Sequence, residues 1–227
     1  MKAEATKPRQ VPGNYRKGAR MTLHQRRRHA AILRLLRRTS GRTLDYGCGY
    51  GDISYAISQT HPVEGVDVDV ERVEFAVAEY GPIRFHVCPP THLDYPDEAF
   101  DVVVSSVVIH FVPNPVQYLR EASRVLQRGG HLVIACKNVS HVRNALRAIV
   151  GRGPAPSKLW IRDKRSIVDL LERENFKVEA ESYICDPPFV SCKNFADVVI
   201  RFAEGFLSAL RIRSTCGYFV LLARKVS

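Results

Sequence analysis

The sequence has no apolar run approaching the roughly 18–20 residues needed to span a bilayer. Its N-terminus is basic and polar, without the apolar stretch that marks a chain for export. No Cys-x-x-Cys pair occurs, and the six cysteines, Cys48, Cys88, Cys136, Cys185, Cys192 and Cys216, are scattered. That argues against a disulfide framework or a metal site and for reduced thiols in a cytoplasmic protein. Acidic residues are almost missing from the beginning of the chain. Residues 1–42 hold 13 Lys/Arg and a single acid, Glu4, so the net charge of +11 is concentrated there. The same stretch has one tyrosine, Tyr15, and no Phe or Trp for stacking on bases.

What remains is ordinary. At 227 residues, 45% hydrophobic and 25% charged, the chain suits one globular domain with a substantial core. A basic arm on a nearly neutral body suits contact with something anionic: RNA, a phosphorylated substrate or a membrane surface. A solvated tail is the alternative.

Residues 1–20, with Pro8, Pro12, Gly13 and Gly18, read as loop. Thr22 is a candidate N-cap for a helix over "LHQRRRHAAILRLLRR", with Leu23, Ala30, Leu33 and Leu36 near one face. Strands are expected at "RTLDYG", "VEGVDV", "IRFHV", "DVVVSSVVI" and "HLVIACK", separated by helices. The helix before the fifth strand is expected to end at Gly129-Gly130. A further helix and two more strands, "KVEAESYI" and "GYFVLLARK", complete the chain. This alternation implies an α/β fold: a Rossmann-like, seven-stranded, mostly parallel sheet with helices on both faces. The expected layout is a basic arm and helix over residues 1–42 and a domain over 43–227. Cap elements are expected at about 139–162 and 185–216, the second a helical insert between strands six and seven.

The strongest local motif is "LDYGCGYGD", residues 44–52. It comes after a strand, opens a helix and spaces its glycines as Gly47, Gly49 and Gly51. Glycine there lets the chain turn tightly and lets a ligand approach the backbone. The acid Asp45 before the turn suits a ligand with a cationic amine rather than a pyrophosphate. Asp67, sixteen residues after Gly51 at the tip of strand two, is placed to accept both hydroxyls of a ribose.

Over about residues 42–137 these segments resemble the class I S-adenosylmethionine-dependent methyltransferases. "TLDYGCGYGD" and "VEGVDVDVERVEFA" look like the first and second motifs of that family. "PDEAFDVVVSSVVIHF" and "YLREASRVLQRGGHLVIA" look like its fourth- and fifth-strand segments. The resemblance implies S-adenosyl-L-methionine as cofactor. Asp45 and the backbone of Tyr46, Gly47, Cys48, Gly49 and Gly51 would hold its methionine part. Asp67 would bind the ribose, Val68 would pack on adenine, and Ser105 would face the methionine moiety. Tyr15 and Arg20 would close over the carboxylate. Pro89 stands where many relatives carry an acid that reads the adenine amino group, so adenine recognition falls to the backbone around Pro90, Thr91 and His92.

"CDPPF", residues 185–189, matches the Asp-Pro-Pro-aromatic element of amino-methyltransferases but lies after strand six rather than strand four, so it reads as a Pro-rich turn. Trp160 and Phe189 are expected walls of a capped acceptor pocket. His110, just beyond strand four, is the expected general base, with His24 and His29 weaker candidates. The expected activity is methyl transfer to O or N of a small molecule, anionic or phenolic. The alternatives are a nucleotide in RNA, reached through the basic stretch 7–42, and a regulatory protein that binds the cofactor without catalysis. An anionic membrane surface is a further partner for that stretch. No metal is called for.

Overall fold

A computed structural model describes residues 21–138, 164–184 and 217–226. Its elements alternate as the sequence implies. They are α1 (Leu23–Leu36), β1 (Thr43–Tyr46), α2 (Asp52–Ser58), β2 (Val63–Asp67), α3 (Val70–Glu79), β3 (Arg84–Val87), β4 (Phe100–Ser106), α4 (Pro115–Val125), β5 (Leu126–Lys137), α5 (Lys164–Arg173), β6 (Phe176–Ile184) and β7 (Tyr218–Lys225). One seven-stranded sheet runs in the order β3-β2-β1-β4-β5-β7-β6. Strands β1 to β5 pair in parallel, while β7 runs antiparallel to both β5 and β6.

The period-two alternation of the central strands divides the core into two layers. Val103, Leu132, Ile134, Phe219 and Leu221 face one way and pack with Tyr118, Leu119 and Ala122 of α4 and Ile167 and Leu171 of α5. Val102, Val104, Val133, Val220 and Leu222 face the other way, against Ile53 and Ile57 of α2 and Ile32, Leu35 and Leu36 of α1. The first helix is therefore part of this body, and a boundary at residue 42 would separate α1 from the strands on which it packs.

Thr22 caps α1 with a full capping box: its hydroxyl accepts the Gln25 N–H while the Gln25 side chain accepts the Thr22 N–H. The buried face is His29, Ala31, Ile32, Leu35 and Leu36, which corrects the face expected from Leu23, Ala30 and Leu33. Leu23 is exposed, and arginines occupy the solvent side of the same turns. Two strand ends also differ from expectation. The β-branched run leaves the sheet at Val107, whose φ is +66°, so β4 ends at Ser106 rather than continuing to Ile109. Gly129-Gly130 does not cap α4, because β5 begins directly at Leu126. The glycine pair falls where the β4–β5 register shifts between Phe100 and Val102, and Gly129 takes a φ of +73° at this bulge.

Candidate functional site

A cavity of about 550 Å³ opens at the carboxyl ends of β1, β2 and β4, the crevice that open α/β sheets use for ligands. Its floor is the glycine turn. Gly47 (φ +89°) donates its N–H to the Val66 carbonyl at 2.7 Å, and Cys48 donates to the same oxygen at 2.9 Å. A Cβ on Gly47 would lie 2.3 Å from the Val108 side chain. Gly49 is different: a Cβ there would meet no atom within 4 Å, because that position faces the open cavity.

Asp67 stands at the tip of β2. Its Oδ2 accepts the Gly49 N–H at 2.8 Å and its Oδ1 accepts the Asp69 N–H at 3.0 Å. Two backbone donors thus fix the carboxylate on the cavity wall and leave lone pairs for a diol. Val68, beside it, is exposed and lines the same wall. Behind them the Tyr46 and Tyr118 rings stack with centroids 4.1 Å apart. The Tyr46 hydroxyl donates to the Pro90 carbonyl at 2.5 Å. The Tyr118 hydroxyl donates to the Tyr46 carbonyl at 2.9 Å; with its one proton used, it accepts from Ser105 Oγ at 3.0 Å. Glu121 and Arg124 of α4 tie down the stretch after β3 that carries Cys88 and Pro90. Glu121 accepts the Leu93 N–H, and Arg124 donates to the Leu93 and Tyr95 carbonyls.

Of the residues singled out from the sequence, Tyr46, Gly47, Cys48, Gly49, Asp67, Val68 and Pro90 converge on the cavity. Gly51 serves beneath it, as the left-handed N-cap of α2. Thr91 and His92 are not among the lining residues, and His92 is an exposed side chain near Asp94. Ser105 is fully buried against Tyr118; its neighbour Ser106 lines the cavity instead. His110 does not fit the part of general base. It is buried, and its Nε2 accepts the Lys137 N–H at 2.7 Å, so that lone pair holds the turn after β4 to β5. Tyr15, Arg20, Trp160 and Phe189, the cap elements and the "CDPPF" segment lie outside the described residues. The helical period of α1 carries a further signal, on the face opposite to the one expected: Gln25, Arg28 and His29 line the cavity.

Burial keeps both cavity cysteines protonated. The Cys48 thiol is pushed well up by burial and by the charges of Asp45 and Asp67, and Cys88 is raised by burial first. Neither is poised as a nucleophile. Among the described residues no group of three His, Cys, Asp or Glu side chains is arranged to hold a metal, and no helix is long and apolar enough to cross a membrane.

Asp45 lies wholly buried below the turn, not on the cavity surface. The Ser54 hydroxyl donates to its Oδ2, and its Oδ1 has no hydrogen-bond partner among the described residues. Burial drives its pKa up, the Ser54 hydrogen bond opposes the rise, and the Asp67 charge adds to it; the result is about 7, against 3.8 for a free side chain. A carboxyl raised on folding binds its proton more tightly in the native state. Its stabilising contribution is therefore complete below about pH 4 and is lost as pH rises through about 7. The melting temperature is expected to fall by roughly 5 °C between pH 5.5 and 8. Asp45→Asn should flatten that slope whatever its absolute stability. Thermal unfolding of both proteins at constant ionic strength measures this, and parallel slopes would remove Asp45 from the account.

A sequence profile of the family described as "Methyltransferase domain" matches residues 44–134, the segment from β1 to β5 that forms most of this site. The phosphatidylethanolamine N-methyltransferase of Cereibacter sphaeroides is 35% identical over 100 residues, which cover 41% of this chain and 49% of that protein. A probable S-adenosylmethionine-dependent methyltransferase of Mycolicibacterium smegmatis (strain ATCC 700084 / mc(2)155) is 30% identical over 158 residues, covering 67% of this chain and 59% of that one. Among solved structures, a geranyl diphosphate methyltransferase in complex with SAM shares the fold, with a TM-score of 0.61, 17% identity, and coverage of 87% of this chain and 85% of that one. The chain spans about half the length of the curated relatives it matches first.

Proposed function

The chain belongs to the class I S-adenosylmethionine-dependent methyltransferase family, and from that premise we propose that it transfers a methyl group to O or N of a small molecule. The observation that carries this reading is the cavity that joins the glycine turn and Asp67 to Arg28 and His29 of α1. The glycine turn and Asp67 suit the cofactor, and Arg28 and His29 add polar groups that its ribose and glycine-turn contacts do not need.

The residues fit the cofactor. Gly49 leaves room for a ligand against the backbone, and Asp67, pre-set by two N–H groups, would accept the ribose hydroxyls. Cys88 and Pro90 border the wall beside Val68, where adenine would lie. S-adenosylmethionine, when bound, supplies an electrophilic methyl on a sulfonium and a neutral leaving group. The protein's part is to hold the acceptor in line near 3 Å from that carbon, to exclude water and to take up the acceptor's proton. Arg28 favours an acceptor group that is neutral or becomes anionic over an ammonium.

Calorimetric titration with S-adenosylhomocysteine and S-adenosylmethionine tests the reading, followed by a screen of small acceptors with radiolabelled donor. Micromolar binding of both and label in a small molecule are expected. Absence of binding to either would refute it. A second reading draws on the outer side of α1, where Arg26, Arg27, Arg37 and Arg38 are exposed in a basic stripe. There the acceptor would be a nucleotide within RNA and binding would weaken steeply with salt.

A further inference from the structure

Two polar atoms of cavity-lining residues are buried and have no hydrogen-bond partner among the described residues: Nδ1 of His29, on α1, and Oγ of Ser106, the last residue of β4. Both residues line the cavity. Unpaired buried donors and acceptors are costly, and in native sites they point to a ligand that completes them. The chain spends further energy here. Val107, directly after Ser106, holds a φ of +66°, a left-handed conformation that is strained for a β-branched residue. Its N–H is anchored to the Ala135 carbonyl at 2.9 Å, and it lines the cavity with Val108 and Phe111. A tight turn thus presents Ser106 and an apolar wall to the cavity that His29 also lines.

The surrounding charges narrow the ligand. Two carboxylates line the described cavity: Asp52 accepts from the Tyr80 hydroxyl at 3.1 Å, and Asp67, fixed by two backbone N–H groups, is the acid placed for the cofactor's ribose. The Phe111 ring already has the Lys137 ammonium 5.5 Å from its centroid. An ammonium-bearing acceptor would find the Arg28 guanidinium beside it and, among the described residues, no lining acid other than Asp52 and Asp67. A hydroxyl fits, because a neutral imidazole and a serine can each donate one hydrogen bond and accept another. Burial first, and the neighbouring Arg28 charge second, hold His29 down at about 4, so it is neutral with a lone pair available at physiological pH. A base this weak cannot deprotonate an aliphatic alcohol, but a phenol, with a pKa near 10 and lowered further beside Arg28, is within reach of a concerted transfer.

We propose that His29 and Ser106 form the acceptor subsite and take a phenolic hydroxyl, with His29 as the catalytic residue that receives its proton. This rests on the methyl-transfer reading. The new O–C bond forms as the C–S bond breaks, and the bonding pair stays on sulfur, which becomes a neutral thioether. The phenolic proton moves to His29 and is returned to solvent after the ether leaves.

The test uses the full chain and radiolabelled S-adenosylmethionine with catechol, 4-hydroxybenzoate and quercetin as phenols, and phenethylamine as an amine. Label is expected in at least one phenol. His29→Gln, which keeps size and hydrogen bonding but not basicity, should lower kcat about 100-fold while S-adenosylhomocysteine affinity stays within threefold; His29→Ala should behave alike if it melts normally. Ser106→Ala should raise the phenol KM about three- to tenfold with kcat little changed. The wild-type rate should hold down to about pH 5 rather than bend near the ordinary imidazole value of 6.5. Cofactor binding with label in phenethylamine alone, or in none of the phenols, overturns the subsite and leaves the methyltransferase reading standing. So does full phenol turnover by His29→Gln. Failure to bind either cofactor form removes both.

Discussion

Asp67→Ala is expected to weaken S-adenosylhomocysteine binding by about 100-fold. A carboxylate that accepts two ribose hydroxyls makes two charge-assisted hydrogen bonds, each worth roughly 1.5–3 kcal/mol when a charged partner is involved. Asp67 is held ready for them by the Gly49 and Asp69 N–H groups at 2.8 and 3.0 Å, so little rearrangement is needed on binding. Asp67→Asn retains one acceptor and should lose about tenfold. The melting temperature should fall only modestly, because the side chain sits at the cavity edge and the two freed N–H groups can take water. Calorimetry on the three proteins decides the matter: equal affinities would mean that the ribose is held elsewhere.

Gly47→Ala should be the most damaging single-methyl change in the site. Its φ of +89° is strained for any side chain, and the added carbon would fall 2.3 and 2.9 Å from the two Val108 methyls. Relief would require breaking the 2.7 Å bond from the Gly47 N–H to the Val66 carbonyl, which sets the turn. A loss of about 3 kcal/mol or more in stability is expected, together with cofactor binding. Val108→Ala in the same chain should restore part of it by removing the clash but not the backbone strain. Gly49→Ala is the informative contrast. Its φ is +55° and its Cβ would point into open space, so stability should fall by only about 1 kcal/mol while affinity drops at least tenfold. Chemical denaturation and calorimetry on both variants separate the two effects, and equal stability losses would contradict the geometry.

The contrast between these glycines also shows where sequence reasoning runs out. Spacing and context place the turn between β1 and α2 and put Asp67 at the end of β2, because both are local consequences of chain direction. Which residue of a strand end faces the ligand is a question of parity, and parity is set by packing. Ser105 is the residue expected at the cavity, yet the fully buried Tyr118 claims it from the α4 layer, and the exit turn at Val107 leaves Ser106 on the open side. Asp45 departs from expectation in the same way: it lies one layer below the surface, under Ser54. His29 ranks only as a weaker base candidate in the sequence because it follows three arginines in "QRRRH", a run whose charge suggests solvent. Only the packing of Ile32, Leu35 and Leu36 shows that its face turns inward. His110 draws notice by position alone, and position does not reveal that Lys137 already occupies its ring nitrogen.

The last strands carry a consequence for how such a chain can vary in length. Lys137 at the end of β5 and Ile184 at the end of β6 both pair with Tyr218, the first residue of β7. Lys137, Tyr218 and Ile184 therefore form one three-residue row across the sheet, at the end where the cavity opens. Every residue that lines the cavity among those described lies between Gln25 and Tyr118. The described lining of the cavity is thus written in one continuous passage, while α5, β6 and β7 beyond Lys137 complete the sheet and both core layers. A change of length in the chain between these strand ends need not disturb the glycine turn or Asp67, which are set by β1, β2 and α2.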